Sequence, residues 1–255
     1  MAKKFQVVTR STPMLESADV FSPLTSEILY GEVVETISHS GDFLKCRNIN
    51  DDYEGFVTKD TLSDEIIPPS HKIIRLHSNI YTEPDFKTVP ITHLAFLSGI
   101  TLSGEIENGF AELEGGGWIW NDDLAPIDFK AAMPLKTAIM FSGMPYLWGG
   151  KTSRGVDCSG LVQLALQHSG IPCPRDTKDQ VKAKIGRAVD YENGMSMPEN
   201  LQSGDIVFFK GHVGIMVDDK NILNATSRTM DVRVEPLSDL ITHYEGGITA
   251  VRRLP

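Results

Sequence analysis

Apolar residues between positions 5 and 125 come in short or alternating runs: Ile28-Leu-Tyr, Val33-Val-Glu-Thr-Ile, Phe43-Leu-Lys-Cys, Gly55-Phe-Val and Lys72-Ile-Ile-Arg-Leu. Gly, Asn, Asp, Ser and Pro separate them, and helical periodicity is poor throughout. This half is predicted to be β. An internal echo divides it. Gly55-Phe-Val-Thr-Lys-Asp-Thr-Leu62 returns 62 residues later as Gly117-Trp-Ile-Trp-Asn-Asp-Asp-Leu124, with the glycine, one aspartate and the final leucine kept. Two small barrels are predicted, over 1–66 and 67–127. They are joined by Ile66-Ile-Pro-Pro-Ser70, whose consecutive prolines suit a stiff, extended connection. Trp118 and Trp120 share one strand face and are read as barrel core and interface, and Cys46 as core.

Past residue 128 the pattern changes. Asp128–Phe141 carries apolar residues at helical spacing, with Pro134 placed to start or kink a helix. The turn-rich Met144-Pro-Tyr-Leu-Trp-Gly-Gly150 follows. Asp157 to Gly170 then reads as a helix, with Leu161, Leu164 and Ala165 on one face, Gly170 as the stop and Pro172 beyond. Asp205–Phe209, His212–Val217 and Asn221–Ala225 are strands with short connections, a meander of antiparallel neighbours. Residues 128–255 therefore form an α+β domain.

Composition narrows the partners. The 255 residues are 41% hydrophobic and carry a net charge of −10. Residues 1–127 hold 9 basic and 20 acidic side chains, while residues 128–255 are near neutral. That balance argues against nucleic acid, which needs clustered Lys and Arg. No apolar run reaches the length of a membrane span, and no signal-like segment follows Met1. The oligomeric state is left open. Three widely spaced cysteines, Cys46, Cys158 and Cys173, form neither a disulfide framework nor a zinc pair. Reduced thiols and a cytoplasmic location are the expectation. His71, His77 and His93 lack metal-ligand spacing, so no metal or cofactor is expected.

Cys158 starts the predicted helix, where free N–H groups and the helix dipole favour a thiolate. His212 opens a strand after a Lys-Gly turn and is the candidate base. Asn224, on the next strand, is placed to orient the imidazole with a neutral amide. Tyr146-Leu-Trp-Gly-Gly150, Asp157-Cys-Ser-Gly-Leu161, Gly204-Asp-Ile-Val-Phe-Phe209, Gly211-His-Val-Gly-Ile215 and Ile222-Leu-Asn-Ala-Thr-Ser227 follow in order. This series resembles the NlpC-type cell-wall cysteine peptidases, papain-like α+β enzymes that cut peptide bonds of bacterial murein. The resemblance implies Cys158 as nucleophile and His212 as general base. The family most often has a histidine where this chain has Asn224. Tyr146 aligns with a tyrosine whose hydroxyl helps bind the oxyanion.

The front half resembles tandem bacterial SH3-like domains. With them, the chain is similar to the γ-D-glutamyl-L-diamino acid endopeptidases of the dipeptidyl-peptidase VI type, which act in murein-peptide recycling. These prefer short stem peptides with a free N-terminal L-alanine, so a murein peptide is the expected substrate. The resemblance gives Asp157 and Ser159 the substrate ammonium, with a helix N-cap as the other use of Asp157. It gives Arg175 the α-carboxylate of D-glutamate, and Glu32 and Tyr53 the cap of the amine pocket. The competing readings are a secreted hydrolase of intact wall, a murein-binding protein without activity, and an acyltransferase or amidase on the same fold.

Overall fold

The computed structural model describes residues 2–183, 185–192 and 194–254. The chain divides into two compact units, Met1–Phe129 with Lys151–Ser153, and Lys130–Gly150 with Arg154–Pro255.

The first unit is all β apart from short 3-10 turns. Strands from Lys4 to Ser63 form a seven-stranded antiparallel sheet. It encloses Val7, Met14, Ile28, Val34, Leu44, Cys46 and Val57. Alternation sets the inward face: in Phe43–Asn48, Leu44 and Cys46 are buried while Phe43, Lys45 and Arg47 are not. Strands from His71 to Pro126 form a five-stranded and a three-stranded sheet around a separate core of Ile73, Ile80, Leu94, Ile100, Ala111 and Ile119. The sequence echo is a shared structure. Glu54–Thr58, the 3-10 turn Lys59–Thr61 and Leu62–Ser63 match Trp118–Trp120, Asn121–Asp123 and Leu124–Pro126. Both turns close with a leucine N–H donating to the first turn carbonyl. The tryptophans depart from expectation. Ile119, between them, is the core residue, and Trp120 is 41% exposed, packed edge-on against Phe110. The connection 66–70 holds no regular structure, and Gln6 pins it by accepting from the Ile67 N–H and donating to the Ile67 carbonyl.

In the second unit, α1 (Pro134–Ile139) starts with its proline at N1, where the missing N–H costs nothing. Next come α2 (Cys158–His168), α3 (Thr177–Gln180) and α4 (Leu237–His243). Besides the two-residue strand Gly155–Val156, this unit has β1 (Arg187–Ala188), β2 (Ile206–Phe209), β3 (His212–Met216), β4 (Asn221–Thr226), β5 (Asp231–Pro236) and β6 (Ile248–Arg253). These six form one antiparallel sheet in the order β1-β6-β2-β3-β4-β5. The expected meander β2-β3-β4 is its centre, and β5 and β6 extend it on either side. Val207, Phe209, Met216 and Ile222 of the sheet pack with Leu237, Leu240 and Ile241 of α4. Helix α2 is buried on every side from Cys158 to Leu166, so its apolar stripe is broad and its polar positions need internal partners. Gln163 supplies one, donating to the Cys173 carbonyl. No described helix is long and apolar enough to cross a membrane.

Candidate active site

Asp157 is the N-cap of α2, accepting from the Gly160 N–H at 2.7 Å, and the next residue is Cys158. Gly160 has no room for a side chain. A Cβ there would lie 2.5 Å from the Gly150 carbonyl and 3.0 Å from Asp157 Oδ1. The Trp-Gly-Gly turn and the Asp-Cys-Ser-Gly helix start therefore pack backbone against backbone, and the Gly149 N–H donates to Asp157 Oδ2 at 2.8 Å. Cys158 is 7% exposed. Its Sγ lies 3.8 Å from Thr177 Oγ1 and is reached by the Val213 N–H, next in the chain to His212.

His212 is placed by a two-residue turn, Lys210-Gly211, between the facing residues Phe209 and His212. Gly211 has φ +77°, where an L side chain is disfavoured. The imidazole is 4% exposed and its Nε2 lies 2.9 Å from Asn224 Oδ1. His212 and Asn224 meet because alternate residues of β3 and β4 share a face and these two stand diagonally across the pair.

The electrostatics reverse one expectation. Burial pushes the Cys158 thiol up to about 11, and the Asp157 charge adds to it, while Thr177 and the Val213 N–H oppose it. Burial pushes His212 down to about 4, against the bond to Asn224. Both groups rest neutral at pH 7. The pull of the helix start toward a thiolate is outweighed by the loss of solvation, and the charge of the capping carboxylate adds to that. Burial also raises the Tyr146 phenol, so it remains a hydrogen-bond donor, and it lies near enough to Cys158 to respond to its charge.

The other expected contacts form a different set. Arg175 is 1% exposed and forks onto Asp157, with Nη1 on Oδ1 at 2.9 Å and Nη2 on Oδ2 at 2.7 Å. Nη1 also donates to Ser159 Oγ, which donates in turn to Asp157 Oδ1. Asp157, Ser159 and Arg175, expected to grip a substrate amine and carboxylate, hold one another instead. In this structure the planar fork of Arg175 is turned onto a protein carboxylate, which matches its geometry. Glu32 and Tyr53 belong to the first unit. Glu32 accepts from the Leu29 N–H, Asn48 and Asn50, with the buried Lys151 ammonium 3.9 Å away, and Tyr53 packs against the first barrel core.

Three residues of the site were not singled out from sequence. Tyr244 stacks on His212, ring centroids 4.7 Å apart and 14° from parallel. Glu235 accepts from Asn224 Nδ2 at 2.8 Å, and Arg228 pairs with the same carboxylate oxygen. Glu235 lies two positions from Arg233, the residue facing Asn224. Its only sequence signal was the polar alternation of Asp231–Pro236.

The profile of the NlpC/P60 family matches residues 143–246. A Bacillus subtilis (strain 168) protein named gamma-D-glutamyl-L-lysine dipeptidyl-peptidase is 27% identical over 256 residues, covering 90% of this chain and 81% of that one. A probable endopeptidase of Haemophilus influenzae is 35% identical over 125 residues, covering 42% of this chain and 71% of that one. The crystal structure of a Bacillus cereus NlpC/P60 family protein superposes over 99% of this chain and all of that one, with a TM-score of 0.81 at 22% identity, a likeness of fold.

Proposed function

Because the chain belongs to the NlpC/P60 family and is a cysteine peptidase with two SH3-like barrels before its catalytic domain, we propose that it cuts the bond between γ-D-glutamate and a diamino acid in short murein stem peptides. The observation that carries the chemistry is the hydrogen bond between His212 and Asn224 beside a buried cysteine at a helix start. The likeness to a dipeptidyl-peptidase runs through both barrels as well as the catalytic domain, which supports the substrate class. The barrels are proposed to be separate domains of 1–66 and 67–127, each around its own apolar core.

In this reading Cys158 attacks the γ-carbonyl while His212 Nδ1 takes the thiol proton. The new S–C bond leaves an oxyanion, which in this reading the Tyr146 hydroxyl and the Cys158 N–H bind. Collapse breaks the C–N bond, His212 returns the proton to the departing amine, and water then hydrolyses the thioester with His212 again as base. Action on released peptides goes with a cytoplasmic location, a reading supported by three cysteines outside any disulfide.

The test is cleavage of L-Ala-γ-D-Glu-diaminopimelate, its N-acetylated form and intact peptidoglycan by the wild type and by Cys158→Ala. Cleavage of the free-amine peptide by the wild type alone is expected. Equal cleavage of the acetylated peptide would remove the free-amine preference, and activity retained in Cys158→Ala would remove the mechanism.

A further inference from the structure

We propose that Glu235 is the positioning residue of this site, setting the tautomer of His212 through the amide of Asn224. The proposal rests on the roles given above to Cys158 and His212, and it begins from an ambiguity. An asparagine amide can present either its oxygen or its NH2 to a neighbour, and the two ends have nearly the same shape. Turned one way, Asn224 accepts a proton from His212 Nε2 and leaves Nδ1 as the free base. Turned the other way, it donates to Nε2 and forces the proton onto Nδ1, which abolishes the base on that nitrogen. A histidine or a carboxylate in that position would carry a different constraint, so the choice of Asn creates a need for something to fix it.

Glu235 meets that need. An ionised carboxylate accepts hydrogen bonds and donates none. It can face only the NH2 end, and Asn224 Nδ2 lies 2.8 Å from its Oε1. The amide oxygen is thereby directed at His212 Nε2, 2.9 Å away. Asn224 is fully buried, and the Glu235 side chain is 12% exposed, so water competes weakly for either bond. Arg228 holds the carboxylate in turn, donating to the same Oε1 and also bonding the Tyr244 phenol, whose ring lies on His212. The imidazole is thus fixed on its edge by Asn224 and on its face by Tyr244, and both supports lead back to Arg228 and Glu235. Glu235 lies in β5 and Tyr244 directly follows α4, both C-terminal to the five sequence motifs and within the family match at 143–246.

The test is the protonation state of His212 in the resting enzyme, read by ¹⁵N NMR with histidine labelling and assigned by loss of the signal in His212→Gln. The wild type is expected to carry its proton on Nε2. In Glu235→Ala the Nε2–H tautomer should give way to a mixture, and kcat should fall about 10–100-fold with KM little changed, by analogy with the loss of the outer partner of a metal-ligating histidine. Glu235→Gln should recover most of both readouts. Asn224 and Arg228 converge on one oxygen, so the glutamine amide is held with its oxygen toward them. A wild-type Nδ1–H tautomer would overturn the proposal, and this measurement does not depend on how Glu235→Ala folds. So would a Glu235→Ala protein that melts earlier but keeps its Nε2–H signal and its kcat per folded molecule. The NMR measurement does not depend on turnover, so failure to cleave murein peptides would count against the substrate reading alone.

Discussion

His212 is the residue whose environment departs furthest from water in a way that activity can report. Its folded pKa, about 4, lies below the ordinary value near 6.5 because burial penalises the charged ring. A base must be neutral, so activity should persist below pH 6.5 and be lost as pH falls through about 4. Stability follows the same sign. The unfolded chain takes up the proton first, so this contribution is full above about 6.5 and disappears on the way down to 4, a loss of roughly 3 kcal/mol. Urea denaturation of the wild type against His212→Gln across that interval measures it. A kcat/KM profile with its acid limb at 6.5 would show an imidazole far better solvated than this one. Cys158 and His212 were legible as single residues because their chemistry is rare and their flanking turns are written in glycine. Their protonation was not, since desolvation depends on neighbours scattered along the chain.

Helix α2 was readable from its own letters: a capping Asp, an apolar run and a Gly stop. What braces its start was not. Arg175 lies 18 residues from Asp157, beyond the end of the helix, and only the folded loop brings its fork onto the carboxylate. Replacing Arg175 by Met should destabilise the protein by about 3–5 kcal/mol, because it strands a buried charge beside the nucleophile. Adding Asp157→Asn should recover part of that loss, and a double-mutant cycle by chemical denaturation checks both. A cost below 1 kcal/mol would mean that Asp157 finds water once its partner is gone. The central meander could be read because its turns are short. Strand β6 could not, since it pairs with β2 some forty residues earlier, and nothing local announces that partner.

For the molecule as a whole, the sequence supported two barrels and an α+β domain because the echo at Gly55 and Gly117 repeats a structural unit, strand, 3-10 turn and strand. The inward face of that unit was misjudged at Trp118 and Trp120. Their shared strand face was read as core and interface, whereas strand alternation gave the core to Ile119. The grip of Arg175 on Asp157 and Ser159 was not legible either. Residue types suited to gripping a charged ligand are equally suited to gripping each other, and only their mutual distances tell the two uses apart.

All three thiols are buried, and burial raises both Cys46 and Cys158 to about 11. A chromogenic disulfide reagent should therefore titrate almost nothing in the native protein at pH 7 and three groups per chain after denaturation. Colour development then acts as a clock for opening of the fold. Small alkylating agents, which hunt for thiolates, should be poor inactivators, and a covalent inhibitor would have to arrive dressed as substrate so that His212 unmasks the sulfur for it.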